Sequence, residues 1–304
     1  MPVFDTPEPI SVSIEIGVGD VQIAASDRTD TVVEVRPTDP AREADVTAAA
    51  QTRVEYAAGR LVVKALKNWR QYTIRGGGES IDVQIELPAG SHLAGEASVA
   101  ALRCSGRLGE CRYKTSAGDI SIDEAGPVHV RTGAGDVWLE RALGDAEVTT
   151  GTGAVRIGAV DGTAVIKNSS GDTSVGSVAG DARVRSASGN IAIGTSRAAV
   201  AAKTAKGDIR LRDVTGGTVV AETAFGAVEV GIGDGVAAWL DLHTRFGHVR
   251  SDLDDADRPQ PGQEAAEVRA YTSFGDITVA RSAGIRTRPA SSTRPASSTR
   301  KDSA

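Results

Sequence analysis

Residues 115–122 read TSAGDISI, and the same pattern returns as TGAGDVWL at residues 132–139, TAKGDIRL at 204–211 and TSFGDITV at 272–279. In each copy a glycine directly precedes an aspartate, and apolar and polar residues then alternate. This alternation is typical of a short strand that buries one face and exposes the other. The recurrence indicates an internal repeat, in which each unit buries its apolar face against its neighbours.

Glycine recurs in nine-residue steps through the middle of the chain, and alternate units carry Thr, Ser or Asn three residues before the next glycine. The structural period is therefore two units, with two short strands and two tight turns. This predicts an all-β fold, a single-stranded parallel β-solenoid (β-helix) with about 18 residues per coil, whose strands pair with those of the adjacent coils. The ladder comprises Gly135, Gly144, Gly153, Gly162, Gly171, Gly180, Gly189, Gly207 and Gly216, with Ala198 in the one position where glycine is replaced.

The corners of the coils are predicted to need glycine, because only glycine adopts a positive backbone dihedral without strain. Aspartate or asparagine follows many of these glycines, as at Asp119, Asp136 and Asn190, and such side chains bond to nearby backbone amides in turns. Calcium-binding β-rolls are the alternative, but their motif has a glycine two residues before the aspartate. The order found here favours turn chemistry, and no cofactor or metal is predicted.

The composition fits a stacked repeat. Hydrophobic residues make up 40% of the 304-residue chain, but aromatic residues only 4%, against 35 glycines, which favours a core of small side chains. The first residues lack the pattern of a secretory signal, and no apolar stretch has the length of a membrane span. The sequence therefore predicts a cytoplasmic protein without a membrane span. Cys104 and Cys111 are too few for a disulfide framework and occupy inward positions of the repeat.

The chain is predicted to have three parts. Residues 1–92 are rich in strands but lack the glycine ladder, and residues 40–51 predict one short helix; this part is expected to cap the solenoid. Residues 93–281 form the solenoid repeats. Residues 282–304 contain RPASST twice and form a basic Ser/Thr/Pro tail that is expected to be disordered, because it cannot bury enough apolar surface.

Residues 81–91, IDVQIELPAGS, followed by the T-x-x-G-D-[IV]-x-[IV] units, resemble the bacterial repeat family labelled as putative adhesins, also called the toastrack domain. The resemblance covers about residues 10 to 281. The family is a domain of unknown function with a β-helical fold and no established catalytic residues. The resemblance thus implies a non-enzymatic interaction or scaffold role.

The residues themselves also argue against an enzyme. His92, His129, His243 and His248 form no nucleophile, metal or base constellation with their sequence neighbours. His129 stands between Val128 and Val130, which are both expected to be buried. The side chain of His129 is therefore expected to point outwards. No catalytic residues are predicted.

Three surfaces are candidates for binding. Arg131, Lys167, Arg185 and Lys203 occupy equivalent outward positions and are expected to stack into a basic line, either as a ligand surface or as an ordinary solvated face. Phe225, Phe246 and Phe274 precede the turn glycines of late coils. They form either an aromatic step for a sugar or a partner, or a base for the insertion at residues 251–267. Residues 67–75, KNWRQYTIR, interleave basic and aromatic groups on a glycine-rich loop, a pattern that suits either anionic ligands or a plain hairpin.

The function that follows is a non-enzymatic scaffold with an unknown protein partner. The alternative is a binder of carbohydrates or polyanions that uses the basic line or the phenylalanines. Nucleic acid is not an expected partner, since the charges of the basic tail are not interleaved with aromatic residues.

Overall fold

A computed structural model describes residues 2–65, 79–253 and 265–282. The predicted loop at residues 67–75, most of the insertion at 251–267 and nearly all of the tail lie outside these residues. The first part contains one helix, α1 (Glu43–Gln51), as predicted, and six strands. The strands are β1 (Val3–Asp5), β2 (Ser11–Ser26), β3 (Asp30–Pro37), β4 (Arg53–Ala57), β5 (Arg60–Lys64) and β6 (Ile81–Pro88).

The rest of the described chain consists of strands separated by tight turns. They are β7 (His92–Leu108), β8 (Cys111–Ala117), β9 (Ile120–Ala125), β10 (Val128–Ala134), β11 (Val137–Ala142), β12 (Ala146–Thr152), β13 (Val155–Val160), β14 (Ala164–Ser170), β15 (Thr173–Val178), β16 (Ala182–Ser188), β17 (Ile191–Ser196), β18 (Val200–Lys206), β19 (Ile209–Val214), β20 (Gly217–Phe225), β21 (Val228–Ile232), β22 (Ala237–Phe246), β23 (Val249–Ser251), β24 (Ala265–Phe274) and β25 (Ile277–Arg281). Within the described residues, no helix is long and apolar enough to cross a bilayer.

The strands form a flattened parallel solenoid with two faces, which confirms the predicted fold. Face A contains β8, β10, β12, β14, β16, β18 and β20, and each strand pairs in parallel with the next. Face B contains β9, β11, β13, β15, β17, β19 and β21, paired in the same way. Aligned residues such as Val128 and Ala146 are eighteen positions apart.

The core lies between the two faces and is filled by the alternating apolar positions. Val148, Ile166 and Val184 follow one another in register on face A and are fully buried. Small and β-branched residues dominate this column because each coil must fit directly over the last. Cys104 and Cys111 are buried here as free thiols, as their inward positions predicted.

One row of corner glycines has the predicted positive dihedral. Gly171 has a φ of +129°, and a Cβ there would lie 2.2 Å from the carbonyl oxygen of Gly153 in the preceding coil. The prediction was wrong for the opposite row, Gly144, Gly162 and Gly180, which does not have a positive φ. Glycine is needed there because the coils approach closely: a Cβ on Gly180 would lie 2.8 Å from the carbonyl oxygen of Gly162.

Two polar ladders tie consecutive coils together at the positive-φ corner. Inside the corner, buried Thr204 donates to the carbonyl oxygen of Gly189 at 3.2 Å. Outside it, Asp172 accepts from the backbone amide of Asn190 at 2.8 Å, and Asn190 accepts in turn from that of Asp208 at 2.9 Å. The aspartates therefore do the turn chemistry that their spacing predicted.

The regular stack reaches into the N-terminal part. Residues 11–24 of β2 pair in parallel with residues 92–105 of β7, so β2 is a complete coil. Gly19 lies at its corner with a φ of +140°. Beyond β2, strands β5 and β6 continue the two faces, β4 and β3 follow them in antiparallel pairing, and β1 pairs antiparallel with β3. The division of the chain at residues 92 and 281 stays a prediction.

The last two coils do not stack in chain order, contrary to the simple succession expected from the repeat. β24 pairs with β20 on one side and with β22 on the other, and β25 likewise lies between β21 and β23. The final coil of the chain is thus inserted beneath the coil that precedes it in sequence. The coil formed by β22 and β23 ends the stack.

Candidate interaction surfaces

The predicted basic line is a column of outward side chains on face A. Lys167 is aligned with Arg185, and Arg185 with Lys203, in adjacent strands. Arg131 lies two coils before Lys167, with Thr149 between them. The parallel register holds these side chains about 4.8 Å apart per coil, as is usual between neighbouring strands.

Both ends of this column are neutralised by carboxylates. Lys114, aligned with Arg131 in the preceding coil, contacts Glu96 with an N to O distance of 3.1 Å. At the other end, Lys203 contacts Glu222 of the following coil at 2.8 Å. When Lys114 is counted with the basic line, an ion pair therefore lies at each end of the column.

The middle of the column is different. Arg131, Lys167 and Arg185 have no ion pair with any residue that the structure describes. Glu147, a candidate counter-charge from its position in sequence, makes no salt bridge to them. Face A thus carries three cations in register without a neutralising carboxylate among residues 2–65, 79–253 and 265–282.

The three phenylalanines form one stack at the turn edge of face A. The ring centroids of Phe225 and Phe274 are 5.0 Å apart, and those of Phe274 and Phe246 are 4.9 Å apart, with nearly parallel planes. Their order follows the coil order, so Phe274 lies in the middle. The residues are 46–59% exposed, and residues 254–264, the centre of the insertion expected to cover them, lie outside the described residues.

This stacking limits what the phenylalanines can bind. Because each inner ring face is covered by the next ring, the stack presents ring edges along the solenoid. A sugar that packs flat on an aromatic ring needs a free face. Among the described residues, the outer ring faces at the two ends of the stack are those of Phe225 and Phe246.

An acid, a phenol and an imidazole meet on face A beyond Glu222. Tyr271 donates to Asp241 with an O to O distance of 2.5 Å, and His243 Nε2 lies 2.8 Å from the other oxygen of Asp241. The imidazole and phenol rings are stacked with centroids 5.6 Å apart. The hydrogen bond from Tyr271 lowers the pKa of Asp241, and the same bond raises the pKa of Tyr271.

This cluster continues the column of the basic line. Lys203 is aligned with Glu222, Glu222 with Tyr271, and Tyr271 with His243. The repeat does not show that Tyr271 separates Glu222 from His243. The order of the last coils brings Glu222, Tyr271 and His243 together, and no local sequence pattern indicates that order.

The polar side chains of the described residues do not gather into a metal-binding cluster. They contain no group of three or more His, Cys, Asp and Glu side chains that could hold a metal ion. His92 accepts a hydrogen bond from the amide of Glu110 at 2.8 Å, and His248 lies 3.5 Å from Asp276 at an exposed turn. The polar groups on the surface therefore form ladders and pairs along the solenoid.

These features define a parallel β-solenoid with polar side chains arranged in columns on its outer faces. The chain belongs to the Toastrack family DUF4097, which matches residues 11–280. No curated protein matches the sequence.

Solved structures of bacterial proteins are similar over nearly the whole chain. A putative adhesin from Bacteroides fragilis is 12% identical, with 91% of this chain and 95% of that one covered and a TM-score of 0.35. A putative adhesin from Parabacteroides merdae is 10% identical, covering 92% and 94%, with a TM-score of 0.34. A putative cell adhesion protein from Clostridium sporogenes is 10% identical, covering 92% and 98%, with a TM-score of 0.21. The family assignment rests on the sequence match.

Proposed function

We propose that the chain is a non-catalytic interaction module that binds a protein partner through face A. The observation that carries this proposal is the set of three cations, Arg131, Lys167 and Arg185, which have no ion pair with a described residue. They stand in register on a rigid parallel sheet. A partner with carboxylates in a matching row would neutralise all three at once.

Electrostatics favours a ligand at this position. Two like charges about 5 Å apart repel by about 1 kcal/mol in water, and Lys167 and Arg185 are direct neighbours. A bound acidic surface relieves this repulsion and replaces it by attraction. Because the hydrogen-bonded ladders hold the strands, little ordering of the backbone opposes binding.

The proposal includes the absence of catalysis and a location in a reducing compartment, the cytoplasm. The bacterial family that the sequence resembles is labelled as putative adhesins, which fits a binding role. Free thiols at Cys104 and Cys111 fit the cytoplasm, because disulfides form and persist mainly in oxidising compartments.

A second candidate function is the binding of a polyanion or an acidic carbohydrate. The same three cations favour it, since closely spaced phosphates, sulfates or carboxylates would match a row of positive charges. The phenylalanine stack adds little for a neutral sugar, because neighbouring rings cover all but its two outermost ring faces. The two candidates differ in the ligand and share the surface.

The test compares the wild-type chain with Lys167→Glu/Arg185→Glu and with a matched control on face B, Arg103→Glu/Arg156→Glu. Each immobilised protein is incubated with lysate of the native cell, cross-linked and analysed by quantitative mass spectrometry. We expect a protein that cross-links to face A of the wild type and the control and is lost from the double variant. If no protein depends on the basic line in this way, the proposal is wrong.

A parallel titration with polyphosphate and sulfated glycans addresses the second candidate. Binding that the face A variant loses and the face B control keeps would support the polyanion function. Equal binding by all three proteins would refute it, because the basic line would then contribute nothing.

A further inference from the structure

The two ends of the solenoid are built differently. At the N-terminal end, the faces end in the antiparallel strands β4 and β1, which pair with β5 and β3, and α1 packs against β3. At the C-terminal end, β22 pairs with β24 and β23 pairs with β25, and neither has a second partner among the described strands. The last coil thus presents two open strand edges side by side.

Core positions are exposed at this end. Val249 is 45% exposed, whereas Ile277, aligned with it in the coil beneath, is fully buried. Leu240 and Leu242 point inwards but are half-buried, whereas Val268, aligned with Leu240, is fully buried. Elsewhere in the stack a further coil covers apolar side chains at these positions. Among the described residues, no further coil covers them at this end.

The open edge also offers backbone groups. In earlier coils the amides of inward residues donate to the next coil, as from Val128 to the carbonyl of Asp145 at 2.9 Å. By the same alternation, the amides of Leu240 and Leu242 point towards the open edge of β22. An edge of this length with apolar residues is a template for another strand.

We propose that two copies of the chain associate head to head through this end, with β22 of one copy antiparallel to β22 of the other about a two-fold axis at Leu242. An axis perpendicular to face A at Leu242 turns β22 against its own copy and so covers the open edge of β22 in both molecules. The interface is self-complementary and limits the assembly to a dimer.

Charge complementarity favours a second copy over an unrelated partner. Reversal of β22 about Leu242 places Asp241 of one copy opposite His243 of the other, twice in the dimer. Since Asp241 already contacts His243 on its own strand, carboxylates and imidazoles alternate among the four groups around the axis. The same register places Arg245 opposite Trp239, which is 67% exposed, and arginine packs favourably on an exposed indole.

Head-to-tail association through the N-terminal end is the competing arrangement. It would join β22 and β23 to the outer strands β4 and β1 of the next molecule, and because such a contact uses two different surfaces and does not close, it would produce open-ended filaments. Size therefore distinguishes the two arrangements.

The experiment is sedimentation velocity of the full chain over about a hundredfold range of concentration. We expect a reversible monomer–dimer equilibrium. His243→Glu places two acids opposite each other, and like charges directly opposite on paired strands destabilise the pairing. Asp241→Lys removes the carboxylate opposite His243 and places an ammonium group there instead. Each single variant is expected to weaken the dimer about tenfold, since two such contacts are lost per dimer.

Charge exchange provides the decisive control. The double variant Asp241→Lys/His243→Glu restores opposite charges across the axis and should dimerise again, and an equimolar mixture of the single variants should form mixed dimers. Arg103→Glu on face B should dimerise like the wild type. Thermal melting verifies that every variant is folded.

Three outcomes would overturn the proposal: a wild-type chain that is monomeric throughout, assemblies larger than dimers, or a dimer that is unaffected by both single variants. Failure of the double variant to recover would exclude the register about Leu242. None of these outcomes depends on the basic line, so this test and that of the proposed function fail independently.

Discussion

Thr272 donates a hydrogen bond to the carbonyl oxygen of Gly226 at 3.0 Å, across a separation of 46 residues. The equivalent bond from Thr204 to Gly189 spans 15 residues. The difference arises because β24 and β25 are inserted between the coil of β20 and β21 and the coil of β22 and β23. The Thr-to-glycine ladder thus continues without a break in space while the chain takes a longer path.

This coil order predicts which engineered cysteines can form a disulfide. Val220 and Arg269 are aligned on adjacent strands and face outwards, so Val220→Cys/Arg269→Cys should oxidise readily. The control pair Val220→Cys/Asp241→Cys would join strands two apart, about 9.6 Å, which exceeds the Cα separation that a disulfide tolerates. Non-reducing electrophoresis and mass spectrometry after mild oxidation measure the outcome. Preferential cross-linking of the control pair would mean that the coils stack in chain order.

Replacing a corner glycine should be costly where φ is positive and a carbonyl lies close. We expect Gly171→Ala to destabilise the chain by about 2–3 kcal/mol, through backbone strain and the clash with Gly153. Gly216→Ala is the control, because a Cβ there meets no atom within 4 Å, and it should change stability by less than about 0.5 kcal/mol. Denaturant unfolding followed by circular dichroism gives both values. Equal effects would argue against the assigned corner.

A substitution at one position of the polar ladder inside the positive-φ corner should raise the stability of the chain. The buried hydroxyl of Ser186 has no hydrogen-bond partner in the described part of the chain, whereas Thr204, in the next coil, bonds to a glycine carbonyl. Ser186→Thr should orient its hydroxyl in the same way and stabilise the chain by about 0.5–1.5 kcal/mol. Ser186→Ala should cost little, whereas Thr204→Ala should cost about 1–3 kcal/mol because it leaves the ladder unpaired. A loss of stability in Ser186→Thr would show that the site cannot accept the extra methyl group.

Two buried ionisable groups in the core, Cys104 and Tyr113, should lower the stability of the folded chain at alkaline pH. A hydrogen bond with Cys111 and burial raise the pKa of Cys104, and burial raises the pKa of Tyr113. Both groups stay protonated in the folded chain at a pH where they ionise in the unfolded chain. Their stabilisation is therefore complete below about pH 8 and falls as the pH rises past the unfolded values of about 8.5 for cysteine and 10 for tyrosine.

The measurement is the free energy of unfolding between about pH 8 and 11. We expect it to decrease with pH in the wild type and to decrease less steeply above about pH 10 in Tyr113→Phe, which cannot ionise at that position. An identical slope in both proteins would show that Tyr113 does not contribute to the pH dependence.

The candidate surfaces differ in how far they could be predicted. The positions of Lys167 and Arg185 follow from the repeat, since residues eighteen apart occupy the same place in successive coils. Their lack of an ion pair with any described residue depends on side-chain positions that the repeat does not specify. The cluster of Asp241 and Tyr271 could not be predicted, because it joins residues whose order in space differs from their order in the chain.

The amino-acid sequence by itself determined the length of the coil, the corners and the inward face of each strand. These are local properties, because a strand alternates with a period of two and a tight corner restricts the residue that can occupy it. Only the tertiary structure decided which coils are neighbours at the C-terminal end. Any two coils with the same inward pattern can pair, so packing makes the choice: Ala270 of β24 lies in register with Ala221 of β20, whereas β22 places the larger Leu242 at that position, at the open end of the stack.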